Sequence, residues 1–206
     1  MTNKDLISQY VDTGIGIPRY QFDKLSSNDK KTYLRKIELM MNYDLNNIQY
    51  YYGELPEEKQ LEIVRKDGRA IENIQNPSEA VQAAAVQQNG IAIVHIQNPS
   101  DIVQLIAVRE NSDAIEYIGN PSEAAQLAAV RKDGSTIQHI RHSIGDENPS
   151  EAVQLAAVNQ YGNAIQFIRN PSEAVQLAAV QQKGSAIDRI YNPTDRVKQL
   201  YKELYG

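Results

Sequence analysis

The sequence predicts an all-α protein, an α-solenoid of stacked short helical hairpins with a helical N-terminal cap. The main observation is a 22-residue unit that begins Asn-Pro-Ser and recurs with small changes from residues 76, 98, 120, 148 and 170. Each unit also carries a Gly or Ser about fourteen residues after its Asn and a pair of Ile residues three apart. A fixed period of this length indicates a repeat array in which each unit covers the apolar face of its neighbour.

The repeat array sets the predicted boundaries. Residues 1–54 form a helical cap region, residues 55–191 form six repeats with a six-residue insertion at 142–147, and residues 192–206 form a capping helix. We number the repeats as units 1 to 6, starting at residues 55, 76, 98, 120, 148 and 170.

The first helix of each unit is predicted to start at the Pro, with the preceding Asn as N-cap and the acidic residue reaching back to the cap. A Gly, as at Gly134, is expected to end that helix in the left-handed conformation. At Ser112 the same turn would be strained or shifted onto Asn111. A shorter second helix follows, whose two Ile residues lie on one face.

The apolar first helices need cover from their neighbours on several sides, so we expect Leu155 and Ile165 to be buried. A recurrent Gln, one in each unit, is expected to bond between units or to loop backbone. In the C-terminal helix, Val197, Leu200, Tyr201 and Leu204 are expected to face inward.

Composition limits the chemistry. The 206 residues contain no Cys and carry a formal charge of −5. Lys and Arg balance Asp and Glu at seven each in residues 1–54, so the repeats and the C-terminal helix together, residues 55–206, hold 14 basic and 19 acidic residues. The acidic array is unsuited to nucleic-acid backbones, no segment resembles a signal peptide or membrane span, and we expect a cytoplasmic protein.

The second helix suggests a binding surface. Between its two Ile residues the first position is predicted to face solvent and the second to lie at the boundary of the core. Large and varied side chains at this second position, on a constant frame, are typical of a binding groove. The alternative is that they wedge against the next unit. We call these residues the boundary column: Asn73, His95, Tyr117, His139, Phe167 and Arg189.

The insertion at 142–147 is a second candidate site, because solenoid insertions go to loops that often bind partners. It adds His142, Asp146 and Glu147 to the predicted partner-binding residues, although structural slack explains it equally well. His139 and His142 with the two acids are loosely metal-like, but no ligand spacing is fixed and we predict neither a metal nor a cofactor.

Other sites have simpler explanations. We expect the N-terminal segment to cap the solenoid. The alternative is that it binds a nucleic acid or nucleotide through a small basic aromatic patch, which consists of Lys30, Lys31, Tyr33, Arg35 and Lys36. The acidic residues near the helix starts could imitate a phosphate row, but helix capping already explains them. No nucleophile with a base and no phosphate loop is present, so we predict no enzyme.

The pattern NPSEAVQLAAVxxxGxAIxxI resembles short helical-hairpin repeat proteins of bacteria and their phages, HEAT-like but with units half as long. The leader QYVDTGIGIPRYQFDKLSSNDKKTYLRK resembles that of phage-type repeat proteins. The resemblance implies a non-catalytic protein-binding module, and a phage-encoded inhibitor of a host defence protein in particular.

Overall fold

A computed structural model describes residues 24–41, 57–143 and 148–206. Within these ranges the secondary structure is helical throughout, without a strand. The α-helices are α1 (Ser27–Met41), α2 (Glu57–Lys66), α3 (Glu79–Gln88), α4 (Asp101–Glu110), α5 (Glu123–Lys132), α6 (Ile137–Ser143), α7 (Glu151–Gln160), α8 (Glu173–Gln182) and α9 (Asp195–Tyr205). The second helices are 3₁₀ helices, at Gly68–Asn73, Gly90–His95, Ser112–Tyr117, Gly134–Thr136, Gly162–Phe167 and Gly184–Arg189.

The helices form two layers, which confirms the predicted α-solenoid. In one layer each of α2, α3, α4, α5, α7, α8 and α9 packs against the next. In the other layer the short second helices contact one another in the same order. In unit 4 the second helix continues as α6, which contacts the second helices of units 3 and 5, so the insertion does not interrupt this layer.

The core is built from the same positions in every unit. In unit 5 it contains Val153, Ala157 and Val158 from α7, together with Ile165 and Ile168 from the 3₁₀ helix. Leu155 packs against this core but is only partly buried. The prediction that Leu155 is a core residue was therefore wrong in degree, whereas that for Ile165, 2 % exposed, is confirmed.

The α-helices begin two residues later than predicted. Ser, not Asn, is the N-cap: the hydroxyl oxygen of Ser78, for example, accepts a hydrogen bond from the amide of Val81. Asn76, Asn98 and Asn170 instead adopt the left-handed conformation, with φ of 52°, 49° and 46°. Asn is among the few residues that tolerate this conformation, so it turns the chain between units.

The acidic residue at the start of an α-helix links neighbouring units at most steps of the array. It is the first residue of the helix, whereas an Asn cap would have made it the third, and its carboxylate accepts a hydrogen bond from the N-cap Ser of the following unit. The bonds join Ser78 to Glu57, Ser100 to Glu79, Ser150 to Glu123 and Ser172 to Glu151. A carboxylate at a helix N-terminus also interacts favourably with the helix dipole.

We expect Ser172→Ala to lower the free energy of unfolding by about 1 kcal/mol, because it removes the N-cap acceptor of α8 and the bond to Glu151. Urea denaturation followed by circular dichroism measures the change. Ser185→Ala is the matched control, since Ser185 is exposed and lies outside both the cap and the link. Equal unfolding midpoints for the two variants would contradict this role of Ser172.

The recurrent Gly serves close approach of neighbouring units, not a left-handed turn. None of these glycines has a φ in the left-handed region, and a Cβ on Gly90 or Gly162 would lie 2.6 or 2.7 Å from the carbonyl oxygen of Ala107 or Ala179 in the next unit. The amide of Gly134 donates to Oε1 of Gln160 at 2.7 Å. The predicted left-handed helix end was therefore wrong.

Ser112 replaces this Gly in unit 3 without the predicted strain. It is buried and starts its 3₁₀ helix, and neither it nor Asn111 has a positive φ. Asn111 is the N-cap, accepting from the amide of Asp113 at 3.0 Å. In the next unit Lys132 stands where Gln160 stands in unit 5, and its ammonium donates to the carbonyls of Arg109 and Glu110 at 2.5 and 2.8 Å.

The Gln of the α-helices behaves as predicted. Nε2 of Gln104 donates to the carbonyl of Pro99 at 3.0 Å, while its Oε1 accepts from the amide of Ser122 in the next unit at 2.9 Å. Gln176 makes the same two bonds, to Pro171 and Thr194. The side chain therefore ties the turn before its own helix to the next turn.

Both ends of the array carry distinct helices. At the N-terminal end Leu25 and Tyr33 are buried in the same apolar cluster as the repeats. At the C-terminal end Val197 of α9 is buried, and Leu200 and Tyr201 are partly buried as predicted. Leu204, predicted to face inward, is 49 % exposed, and the ring of Tyr205 lies against Gly184.

Candidate functional site

The predicted boundary column lies on the outer surface of the 3₁₀ layer, which we call the second-helix face. Asn73, His139 and Phe167 are partly buried, while His95, Tyr117 and Arg189 are exposed. The column thus combines both alternatives considered from the sequence, since several members contact the neighbouring unit and still present surface to solvent.

These contacts follow one rule: a column residue meets the residue that follows the first Ile of the preceding unit. Nε2 of His95 lies 3.7 Å from Oε2 of Glu72, and Nδ1 of His139 lies 3.5 Å from Oε2 of Glu116. Arg189 donates to Oε1 of Gln166 at 2.8 Å. These pairs are exposed enough that each contributes at most about 1 kcal/mol to stability.

Val94 and Tyr117 occupy the same two positions at the step between units 2 and 3. Both side chains are large, and they are 49 % and 45 % exposed. This apolar step lies between the Glu72–His95 pair on one side and the Glu116–His139 pair on the other. Val94 was missed from the sequence, because its position had been assigned only as solvent-facing.

Two grooves open where the second-helix face meets the Asn-Pro turns. The N-terminal groove, between units 1 and 2, encloses about 700 Å³, and the C-terminal groove, between units 5 and 6, encloses about 550 Å³. All nine lining residues of the first have an equivalent in the second, and six of these positions have side chains that decide the polarity of the groove. They are Glu72, Gln75, Asn76, Gln82, His95 and Gln97 in the first and Gln166, Arg169, Asn170, Gln176, Arg189 and Tyr191 in the second.

The last residue of each unit, such as Gln75, Arg169 or Tyr191, was also missed as a groove residue. Its variation from unit to unit was visible in the sequence. A residue outside the helical part of the unit cannot be placed by counting 100° per residue, so its side of the groove required the turn geometry.

The insertion is only partly described. His142 lies in α6, but its side chain, like Asp146 and Glu147, is outside the described residues. Elsewhere in the described ranges no group of three or more His, Asp or Glu residues is placed to hold a metal ion.

The N-terminal basic patch differs from the prediction at its aromatic residue. Tyr33 is 2 % exposed and belongs to the core, so it has no face on which a base can stack. Lys31 and Arg35 are exposed, Lys30 is partly buried, and the Lys36 side chain lies outside the described residues.

Comparisons with models of protein families, with curated proteins and with solved structures give no match. The architecture defines the chain as an α-solenoid of short helical repeats. None of the helices in the described ranges combines the length and apolar composition needed to cross a membrane.

Proposed function

We propose that the chain is a non-catalytic protein-binding module whose partner docks on the second-helix face. The observation that carries this proposal is the exposed pair Val94 and Tyr117 in the middle of that face. Tyr is enriched at protein interfaces because it combines a large apolar body with a polar tip. The polar pairs at His95 and His139 would form the rim of such an interface.

The constant frame supports the same proposal. In most units the Ser–Glu link, the Gln that bonds to the Pro before its own helix and the close contact at the Gly stabilise the stack, so these positions serve the fold. The second-helix face varies from unit to unit without loss of the fold. Selective binding needs this combination of a rigid scaffold and a freely variable surface.

The alternatives have weaker support. A nucleic-acid or nucleotide site at the N-terminal patch would lack its aromatic residue, because Tyr33 is buried. A nucleic-acid mimic would use the exposed carboxylates at the helix starts, yet Glu79, Glu123 and Glu151 already accept bonds from Ser. The finer proposal, which rests on the resemblance of the repeats, is an inhibitor that a phage directs at a host protein.

We expect immobilised wild-type protein to retain a partner from bacterial lysate, and the quadruple variant His95→Ala, Tyr117→Ala, His139→Ala, Phe167→Ala to lose it. Mass spectrometry of the retained material, at low and raised salt, provides the measurement. An aromatic-anchored complex should resist salt, whereas phosphate binding weakens steeply because each neutralised phosphate releases counterion.

The control carries four changes on the α-helix layer: Gln87→Ala, Arg109→Ala, Arg131→Ala and Gln181→Ala, all at exposed positions. It should retain the partner. Equal retention by the quadruple column variant would show that the column only packs against its neighbours. Retention of nucleic acid alone, released by modest salt, would favour the alternative.

A further inference from the structure

The C-terminal groove differs from the N-terminal groove in charge, although the backbone positions are equivalent. Where the N-terminal groove has Glu72, Gln75, His95 and Gln97, the C-terminal groove has Gln166, Arg169, Arg189 and Tyr191. One carboxylate is thus replaced by an amide, and two neutral or weakly basic positions become arginine.

The cationic groups of this groove remain available. In the part of the chain that the structure describes, the guanidinium of Arg169 forms neither a hydrogen bond nor an ion pair. Among the described residues, the Arg189 guanidinium has one partner, the neutral amide of Gln166, to which it donates at 2.8 Å. Tyr191 is fully exposed, so its ring is open to a ligand lying along the groove.

Among the described residues, those that line the C-terminal groove include no Asp or Glu. Two carboxylates at nearby helix starts have other partners. Glu151 accepts from the hydroxyl of Ser172, and Oε1 of Glu173 lies 3.7 Å from Arg196. Asp188 precedes Arg189 but does not line the groove. The positive charge of the two arginines is therefore not neutralised within the groove.

We propose that the C-terminal groove binds a short acidic segment of a partner protein in an extended conformation. This inference rests on the proposed protein-binding function. Arg169 and Arg189 would pair with carboxylates, for which the planar guanidinium offers two parallel donors. The exposed amides of Asn170 and Asn192 would bond to the peptide backbone, since each carries a donor and an acceptor.

Charge distribution favours a peptide over a nucleic acid. Affinity for a nucleic acid comes from many neutralised phosphates along the strand. Only two arginines line this groove, and the array beyond it holds more acidic than basic residues. A short acidic peptide needs only the two arginines, whereas a longer polyanion would meet repulsion outside the groove.

The test is fluorescence anisotropy of a labelled hexapeptide of alternating Gly and Asp, compared with its Gly and Asn counterpart and with labelled hexathymidylate. We expect the acidic peptide to bind most tightly and its affinity to fall as ionic strength rises. Each exposed ion pair accounts for up to about fivefold in affinity. Arg169→Gln with Arg189→Gln should therefore weaken binding by up to about 25-fold.

The control variant Arg109→Gln with Arg131→Gln removes the same charge from exposed positions on the α-helices and should bind as the wild type does. A transplant supplies a gain of function: Glu72→Gln, Gln75→Arg, His95→Arg and Gln97→Tyr rebuild the basic groove between units 1 and 2. In the double Arg→Gln background, this transplant should restore binding of the acidic peptide.

Three results would overturn the inference: no preference for the acidic peptide over its Asn counterpart, equal affinity in the double arginine variant and the control, or tighter binding of hexathymidylate. These results leave the proposed function intact if a partner is still lost from the boundary-column variant. The two proposals therefore fail separately, because one concerns the Val94 and Tyr117 region and the other the Arg169 and Arg189 groove.

Discussion

Ile165→Asp is expected to unfold unit 5 and its neighbours, whereas Gln166→Asp is expected to leave the free energy of unfolding almost unchanged. Ile165 is 2 % exposed, and its neighbour Gln166 is exposed. An unpaired carboxylate in an apolar core costs several kcal/mol, against a typical total stability of about 5 to 15 kcal/mol. At residue 166 the same carboxylate stays in water and can pair with Arg189.

The measurement is urea denaturation of both variants by circular dichroism, with hydrogen exchange to locate the loss. Each repeat contacts only its neighbours, so protection should fall first in units 4 to 6 and α9 and least in units 1 and 2. If both variants unfold at the same midpoint, the assigned inward direction of Ile165 is wrong.

The sequence was sufficient to predict the array, because its period is repeated almost without change. Burial of both Ile residues follows from their spacing of three, which places two side chains on one face of any short helix. Repetition could not decide which residue caps the α-helix. Asn and Ser are equally good N-caps, and choosing between Asn170 and Ser172 requires the backbone conformation.

The sequence also could not predict how deeply each apolar side chain of an α-helix is buried. Leu155 and Val153 are both apolar and lie on the same helix, yet only Val153 is fully buried. Their difference depends on where the neighbouring unit approaches α7. Since every unit repeats the same ambiguity, additional copies of the pattern add no information about it.

The candidate site was predictable only where it follows a helix. Tyr117 and His95 were found because their positions count from a buried Ile. The groove residues Arg169 and Tyr191 lie beyond the 3₁₀ helices, in turns whose direction depends on the left-handed Asn or on the start of the next unit. Their proximity to Arg189 is a property of the stacked units and not of one unit.

Gly134→Ala is expected to lower the free energy of unfolding by about 1 to 3 kcal/mol, the usual cost of overpacking, whereas Gly119→Ala is expected to be neutral or slightly stabilising. A Cβ on Gly134 would lie under 3.0 Å from the carbonyl oxygen of Ala157 and from Oε1 of Gln160. A Cβ on Gly119 would meet no atom within 4 Å. Unfolding midpoints in urea measure both changes.

Gly134→Asn distinguishes close approach from a left-handed turn as the reason for this Gly. Asn tolerates the left-handed conformation, so it would be the mildest replacement if the turn were the reason. It carries a Cβ like Ala, however, and close approach makes it at least as destabilising as Ala. Unit 3 shows that a Cβ can be accommodated at this position, because it has Ser112 there and Lys132 in place of the Gln of the next unit. The Gly134 step keeps Gln160, and any displacement of unit 5 would strain the hydrogen bond that the Gly134 amide donates to this side chain. An Asn variant as stable as the wild type would therefore exclude close approach as the reason for this Gly.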